Sequence, residues 1–443
     1  MKNSKKRCRY CDEVIRVTAV KCRYCLGDLT VPTSSALLES HDVLDLLGSL
    51  VEKNLAVLDS GTGRYCLQET VRQYAGDRLK ESGTTVTWCG RHLNHFMRLS
   101  EEAEWRIRGS PDTQTWLDAL ETEHDNLRAA LAFSAELQTR YPEQLSTLNS
   151  QLSTDGGLRL AGAIWRFWVI RGYLDEGRAR LSALLALHPR EPTMIRAKAL
   201  HGAGAVAYRQ GDYPAARSLY EESLAIRQAV ADKHGIATSL NSLGILVFEQ
   251  GDYAAARAFH EESLAIRREL GQRRDIAVSL GSLANVTYEQ GDHDAAHALY
   301  EESLSIRREL DDRLGIGSVL NNLGLVECGR GDYGGARRLY AESLAVSRAL
   351  GDWHTVTAAL EGLATMAAVT GCSVGSARIW GSAERLREQF GSPLPPIERS
   401  RYMQRVAAAR ASVSDNFTFD RAWEEGRAMT VDQAIAYAVE DSA

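Results

Sequence analysis

Four of the eight cysteines fall within the first 25 residues as two pairs, Cys8-Arg9-Tyr10-Cys11 and Cys22-Arg23-Tyr24-Cys25, with ten residues between the pairs. A C-x2-C turn aims two thiolates at one ion, and two such turns complete a closed tetrahedral S4 set of the kind zinc accepts readily. Iron is the other ion that S4 ligation suits. A closed set leaves no open coordination position, so the metal expected here, Zn2+, is structural and not catalytic. About 25 residues bury little core, so metal binding would supply most of the folding free energy of this head. The remaining cysteines, Cys66, Cys89, Cys328 and Cys372, are scattered, which is not the spacing of a disulfide framework.

The same head is basic. Residues 1–30 carry eight Lys or Arg against three acids, about +5, whereas the whole chain is −6. With Tyr10 and Tyr24 beside the cysteines, this head is the one part of the chain suited to nucleic acid. A structural appendage or protein contact is the favoured expectation, because surface charge needs no special partner. The pattern CRYC…KCRYC resembles the short zinc-ribbon heads of many bacterial proteins. It departs from them at Asp12 and Leu26, which stand where such turns often place glycine.

No other constellation suggests chemistry. There is no H-E-x-x-H and no G-x-x-x-x-G-K-[ST], and the eleven histidines are scattered. Gly371-Cys372-Ser373-Val374-Gly375 matches G-x-S-x-G in letters, but a nucleophile elbow needs a strand before it. This string falls between two helical stretches, and Ser373 is expected to cap a helix. The chain is expected not to be an enzyme.

The elements that must position these residues begin after a linker at 31–40. Val43, Leu46, Leu47 and Leu50 recur at helical spacing, with Asp42 as N-cap. A strand at Leu55–Leu58, a turn at Gly61-Thr62-Gly63, a second strand at Tyr65–Leu67 and a helix over Glu69–Lys80 follow. Helix, hairpin, helix is the second half of a winged helix. The leading helix carries Asp42, Asp45 and Glu52 against Lys53, which phosphate would repel, so packing rather than DNA readout is expected.

Gly211, Gly251, Gly291, Gly331 and Gly371 recur every 40 residues, four of them followed by Asp. Such a period, with two helical stretches in each unit, signals a solenoid. Leu240-x2-Leu243-Gly244-x2-Val247, then Gly251-Asp252-Tyr253, then Ala256 and Ser263-Leu264, is similar to the tetratricopeptide repeat. Gly204, Gly244, Ala284 and Gly324 on the first helices, and Ala216, Ala256, Ala296 and Ala336 on the second, lack bulk so that paired helices can close. The glycine that ends the first helix permits a left-handed residue, and the following Asp can cap the second. The six residues beyond the usual 34 fall after Arg227, Arg267 and Arg307, which predicts a second helix longer by a turn.

In such solenoids the first helices line the concave face, where an extended peptide or partner helix lies. The candidate binding residues there are Asn241, Asn285, Asn321, Arg209, Glu249 and Glu289, with Tyr208, Phe248 and Tyr288 near the helix ends. Asn side chains can hydrogen-bond a peptide backbone without demanding a sequence.

LLGSLVEKNLAVLDSGTGRYCLQETVRQYAGDRLKESG (Leu46–Gly83) and WLDALETEHDNLRAAL (Trp116–Leu131) resemble the C-terminal half of bacterial signal-transduction ATPases of the STAND type. The resemblance covers roughly residues 40–440. Those regulators join a nucleotide-binding domain, a winged helix and a helical-repeat sensor. The missing phosphate-binding motif means that the resemblance carries over the sensor and not ATPase activity, so no nucleotide is expected.

The expected fold is therefore mostly α: a tetratricopeptide-type α-solenoid with a small N-terminal zinc ribbon and a partial winged-helix segment. Its parts are a zinc ribbon at 1–30, a linker at 31–40, a partial winged-helix segment at 41–90 and a helical connector at 91–156. Repeats at 157–385 and a C-terminal helical cap at 386–443 complete it. The expected function is a protein-interaction scaffold or signalling sensor with a protein or peptide partner on the concave face. The alternative is a DNA-linked transcriptional regulator that contacts nucleic acid through the head. No apolar run suits a bilayer and the basic start leads into cysteines rather than an apolar stretch, so no membrane partner and a cytoplasmic setting are expected.

Overall fold

The computed structural model describes residues 5–7, 14–16, 40–61, 63–107, 112–141, 155–188, 191–390, 394, 396–413 and 415–441. Cys8, Cys11, Cys22 and Cys25, and the linker at 31–39, lie outside the described residues. The chain divides after Trp88 into two units.

In the first unit, strands β1 (Lys5–Arg7) and β2 (Val14–Arg16) pair antiparallel, Lys6 opposite Ile15. Helix α1 (Ser40–Glu52) leads into the antiparallel hairpin β3 (Ala56–Asp59) and β4 (Arg64–Leu67), and α2 (Glu69–Glu81) follows. The hairpin turns because Gly63 takes a left-handed conformation (φ 69°) and Asp59 Oδ1 accepts from the Gly61 amide at 2.9 Å. These are the expected elements in the expected order. Helix α1 starts two residues before Asp42, which therefore sits inside the first turn rather than capping it. Ala56 is buried, but α2 buries no residue.

In the second unit, which begins one turn inside the next helix, every described element is helical. Helices α3 (Thr85–Ile107), α4 (Thr113–Thr122) and α5 (His124–Arg140) lead into six helix pairs. The pairs are α6 (Gly156–Arg171) with α7 (Leu174–Leu187), α8 (Met194–Arg209) with α9 (Tyr213–Ala229), and α10 (Lys233–Glu249) with α11 (Tyr253–Glu269). Then come α12 (Arg273–Glu289) with α13 (His293–Glu309), α14 (Arg313–Arg330) with α15 (Tyr333–Leu350), and α16 (Trp353–Val369) with α17 (Ser373–Phe390). Helices α18 (Pro396–Ala411), α19 (Asn416–Arg427) and α20 (Val431–Ala436) and a π-helical turn at Tyr437–Asp441 close the chain.

The repeat signature has direct physical meaning. Gly211, Gly251, Gly291, Gly331 and Gly371 all hold positive φ, from 78° to 94°, where a Cβ would be strained. The next residue caps the second helix in four units: the amides of Ala215, Ala255, Ala295 and Gly335 donate to Asp212, Asp252, Asp292 and Asp332. Ala216, Ala256, Ala296 and Ala336 are fully buried. A Cβ on Gly204 would meet the Tyr220 ring at 2.7 Å, and one on Gly324 the Tyr340 ring at 2.8 Å. The small first-helix residue is therefore the seat for an aromatic ring of the second helix. A buried serine ties the pair: Ser223, Ser263, Ser303 and Ser343 each donate at 2.8 Å to the carbonyl of Ala197, Ala237, Ala277 and Gly317 respectively. The expected longer second helix is not what forms. From α10 to α13 both helices of a pair have 17 residues, so the extra length is shared.

Candidate functional site on the first-helix face

The first helices of successive pairs place like positions 40 residues apart on one face. Near their C-terminal ends stand Tyr208-Arg209, Phe248-Glu249 and Tyr288-Glu289, and one to two turns earlier stand Asn241, Asn285 and Asn321. A cavity of about 380 Å³ opens on this face. Six of the nine candidate residues line it: Phe248, Glu249, Asn285, Tyr288, Glu289 and Asn321.

The other three behave differently. Asn241 is buried, and among the described residues its Oδ1 has no hydrogen-bond partner. Tyr208 does not line the cavity, but its hydroxyl donates to Glu249 Oε1 at 3.3 Å. Arg209 is exposed and stands outside the lining.

The lining also contains groups that the repeat pattern did not single out. Tyr253, Tyr300 and Tyr340 arrive from the second helices, and Asn322, Cys328, Glu361 and Thr365 from the first. Leu394 and, from α18, Arg401, Tyr402 and Arg405 complete it. Helix α18 thus crosses the first-helix face. The Arg401 guanidinium donates to both oxygens of Glu289 at 2.8 and 2.7 Å, and Tyr253 OH donates to Glu289 at 3.3 Å. Only the aromatic signal in Gly-Asp-Tyr hinted at Tyr253. Nothing periodic could have announced α18.

The electrostatics are uneven along the cavity. Hydrogen bonds from Arg401 hold the Glu289 carboxyl below its ordinary range. Burial pushes the Glu249 carboxyl up, against a smaller opposing effect of the Tyr208 hydroxyl. Glu361 is matched by Arg387, whose guanidinium bonds both its oxygens at 2.6 and 2.7 Å in a largely buried pair. Among the described residues Arg405 makes no ion pair. Burial pushes the Tyr288 phenol and Cys328 thiol up, so both stay neutral near pH 7. Asn322 Nδ2 donates to Asn285 Oδ1 at 3.4 Å and Asn321 Nδ2 to Asn322 Oδ1 at 3.2 Å, while Asn321 Oδ1 is buried and has no partner among the described residues. Such a set can bind and orient a polar chain; it offers no activated nucleophile.

A second cavity, about 470 Å³, lies among Trp105, Trp165, Met194 and His234. Two of its acids are already matched, Glu101 by Arg159 at 2.8 Å and Glu104 by Lys198 at 2.5 Å, and Asp232 also lines it. Ser373 opens α17 and its hydroxyl lies 2.6 Å from that of Ser412; a helix, not a strand, precedes it. Among the described residues no three His, Cys, Asp or Glu gather to hold a metal ion.

Residues 195–269, 248–309 and 317–352 match family models of the tetratricopeptide repeat, so the helix pairs in that region are tetratricopeptide repeats. Proteins of Mycobacterium bovis and Mycobacterium tuberculosis, named provisionally as HTH-type transcriptional regulators, are 35% identical over 150 residues. That stretch is 33% of this chain and 15% of theirs, so the chain spans a small part of the length of the curated relatives it matches. Among solved structures, a signal transduction ATPase with numerous domains and a tetratricopeptide-repeat sensor, from Pyrococcus horikoshii, is similar with a TM-score of 0.46 and 13% identity. It covers 86% of this chain and 57% of its own. The Rap conjugation gene regulator of plasmid pLS20, solved with the Phr* peptide, has a TM-score of 0.44 and 12% identity over 73% of this chain and 95% of its own. No helix among the described residues is long and apolar enough to cross a membrane.

Proposed function

We propose that this chain is a non-catalytic regulatory sensor or scaffold that binds a protein or peptide segment along the first-helix face of its repeats. The observation that carries the reading is the cavity itself: among the described residues Asn321 keeps a buried carbonyl without a partner and Arg405 makes no ion pair, in a lining they share with Asn285 and Glu249. Buried polar groups are nearly always satisfied, so an unmet acceptor in an open lining suits a ligand with backbone-like donors. The test is fluorescence anisotropy of labelled random heptapeptides against the full chain and an Asn285→Ala/Asn321→Ala double variant. Binders that weaken about tenfold in the variant support the reading. Absence of any binder, or binding indifferent to the variant, removes it.

We further propose that Cys8, Cys11, Cys22 and Cys25 hold a structural Zn2+. The C-x2-C spacing supports this, as does the position of Cys8 and Cys11 in sequence between the paired strands β1 and β2. The unpaired thiols of Cys66, Cys89, Cys328 and Cys372 suit a reducing cytoplasm. The elements from α1 to α2 are read as the remaining half of a winged helix and the chain as the sensor end of a STAND-type regulator; the likeness of Leu46–Gly83 supports both. A second reading, a DNA-linked transcriptional regulator, is favoured by the basic head and by the regulators named above. Salt-sensitive DNA binding that disappears on removal of residues 1–30 would select it.

A further inference from the structure

The repeat register gives each first-helix position a counterpart one unit away, so an occupied position shows what its vacant counterpart accepts. Glu249 ends α10 and Glu289 ends α12 in the same register. Each follows an aromatic residue, Phe248 or Tyr288, and each accepts one tyrosine hydroxyl at 3.3 Å, from Tyr208 or Tyr253. Both line the same cavity.

They differ in one respect. Glu289 is clamped by the Arg401 guanidinium, which the chain itself delivers from α18. Glu249 is half-buried, and among the described residues it has the Tyr208 hydroxyl and no cation. Arg209, in this register one unit earlier, forms no ion pair with it. The next two register positions are Gly329 and Val369, so Glu249 is the single vacancy of this kind in the array from α8 to α16. A half-buried carboxylate with one neutral donor is under-satisfied, and a guanidinium supplies the fork that Arg401 supplies to Glu289. Phe248 and Tyr253, packed ring against ring with centroids 5.5 Å apart, also line the cavity and offer aromatic surface to a cation.

We infer that Glu249 is the specificity position of this groove and receives an arginine side chain of the bound segment, as Glu289 receives Arg401 of the chain itself. The inference rests on the peptide-binding reading and names the partner chemistry: an arginine-bearing peptide rather than an acidic or purely apolar one.

The test uses the full chain and two labelled heptapeptide libraries, one with a fixed central arginine and one with citrulline there, and a third with glutamate there for the charge-swapped variant. Citrulline keeps the shape and loses the charge. The arginine library is expected to bind at least about tenfold more tightly, consistent with a charge-assisted hydrogen bond in a partly buried site. Glu249→Gln should erase that preference, bringing the arginine library to the affinity of the citrulline library. Glu249→Arg should transfer the preference to a glutamate library. Equal binding of the arginine and citrulline libraries, or an arginine preference that survives Glu249→Gln, overturns the inference while peptide binding stands. If neither library binds, the peptide-binding reading falls and the inference with it.

Discussion

Gly381 and Gly426 lie where α17 and α19 touch backbone to backbone: a Cβ on Gly381 would strike the Trp423 carbonyl, and one on Gly426 the Arg378 carbonyl. Around this crossing Phe419 and Trp380 are fully buried, Trp423 Nε1 donates to Glu384 at 2.9 Å, and Arg378 donates to the Tyr437 hydroxyl at 2.8 Å. The colliding atoms are main-chain, which cannot swing aside. Gly381→Ala or Gly426→Ala should each cost about 1–3 kcal/mol or more in urea unfolding. Gly281→Ala is the control. That glycine has nothing within 4 Å of its would-be Cβ, so alanine should stabilise by up to about 1 kcal/mol through helix propensity.

The turn from each second helix to the next first helix makes the opposite demand. Ala231, Gly271, Asp311 and Gly351 occupy one register and share positive φ, 56°, 66°, 48° and 67°. Two of the four carry a Cβ in a region where it crowds the backbone. Ala231→Gly should therefore raise the urea midpoint by the equivalent of about 1 kcal/mol, with the m-value unchanged. Gly271→Ala should lower it by a similar amount.

What could be read in advance follows from what repeats. Caps, left-handed glycines and small helix-facing residues are dictated by local geometry, so a 40-residue period displays them in the sequence. Which side chains face the groove was also periodic, and six of nine candidates line one cavity. The closure of that cavity was not legible. Arg401 reaches Glu289 across 112 residues from a tail outside the period. Asn241 and Asn321 share residue type and register, yet one is buried off the cavity and the other lines it; position within a unit names a face, not what covers it. The buried arginines that join neighbouring units were equally hidden. A basic residue at a helix end reads as solvated until its acceptors are placed around it.

Those arginines supply a third prediction. Arg227 donates to Gly235 O and Ser239 Oγ, both at 2.8 Å, and Arg267 to Asp275 O at 2.9 Å and Ser279 Oγ at 2.7 Å. In the next unit Val319 replaces the serine, and Arg307 turns to Asp312 Oδ2 at 2.7 Å, with both side chains nearly buried. Burial pulls the Arg307 guanidinium down in pKa, opposed by Asp312. Removing the acid leaves a buried cation, so Asp312→Asn should cost about 3–5 kcal/mol. Adding Val319→Ser should restore the acceptor used in the two preceding units. A double-mutant cycle should then show a favourable coupling of about 0.5–3 kcal/mol. A coupling of zero would mean that the serine hydroxyl does not stand in for the lost acid.

His260 occupies the register of Tyr220, Tyr300 and Tyr340 and lies over Gly244, whose would-be Cβ stands 2.6 Å from the imidazole. Burial, with the Arg267 charge adding to it, pulls its pKa down to about 4. In the unfolded chain the ring titrates near its ordinary 6.5. Between those values the unfolded state binds the extra proton. The stability contributed by neutral His260 is therefore fully present above pH 6.5 and is lost progressively as pH falls toward about 4. The loss attributable to this residue is on the order of 3 kcal/mol. His92, His188 and His354 are shifted the same way, chiefly by burial, and add to the slope. His260→Tyr places the residue of the other three units over the same glycine and removes the titration. Urea unfolding of native chain and variant at pH 7, 5.5 and 4.5 checks the sign. The variant should hold its stability better on acidification, and the gap between the two should widen steadily as pH falls. A gap that stays constant would show that the buried imidazole is not protonated on unfolding.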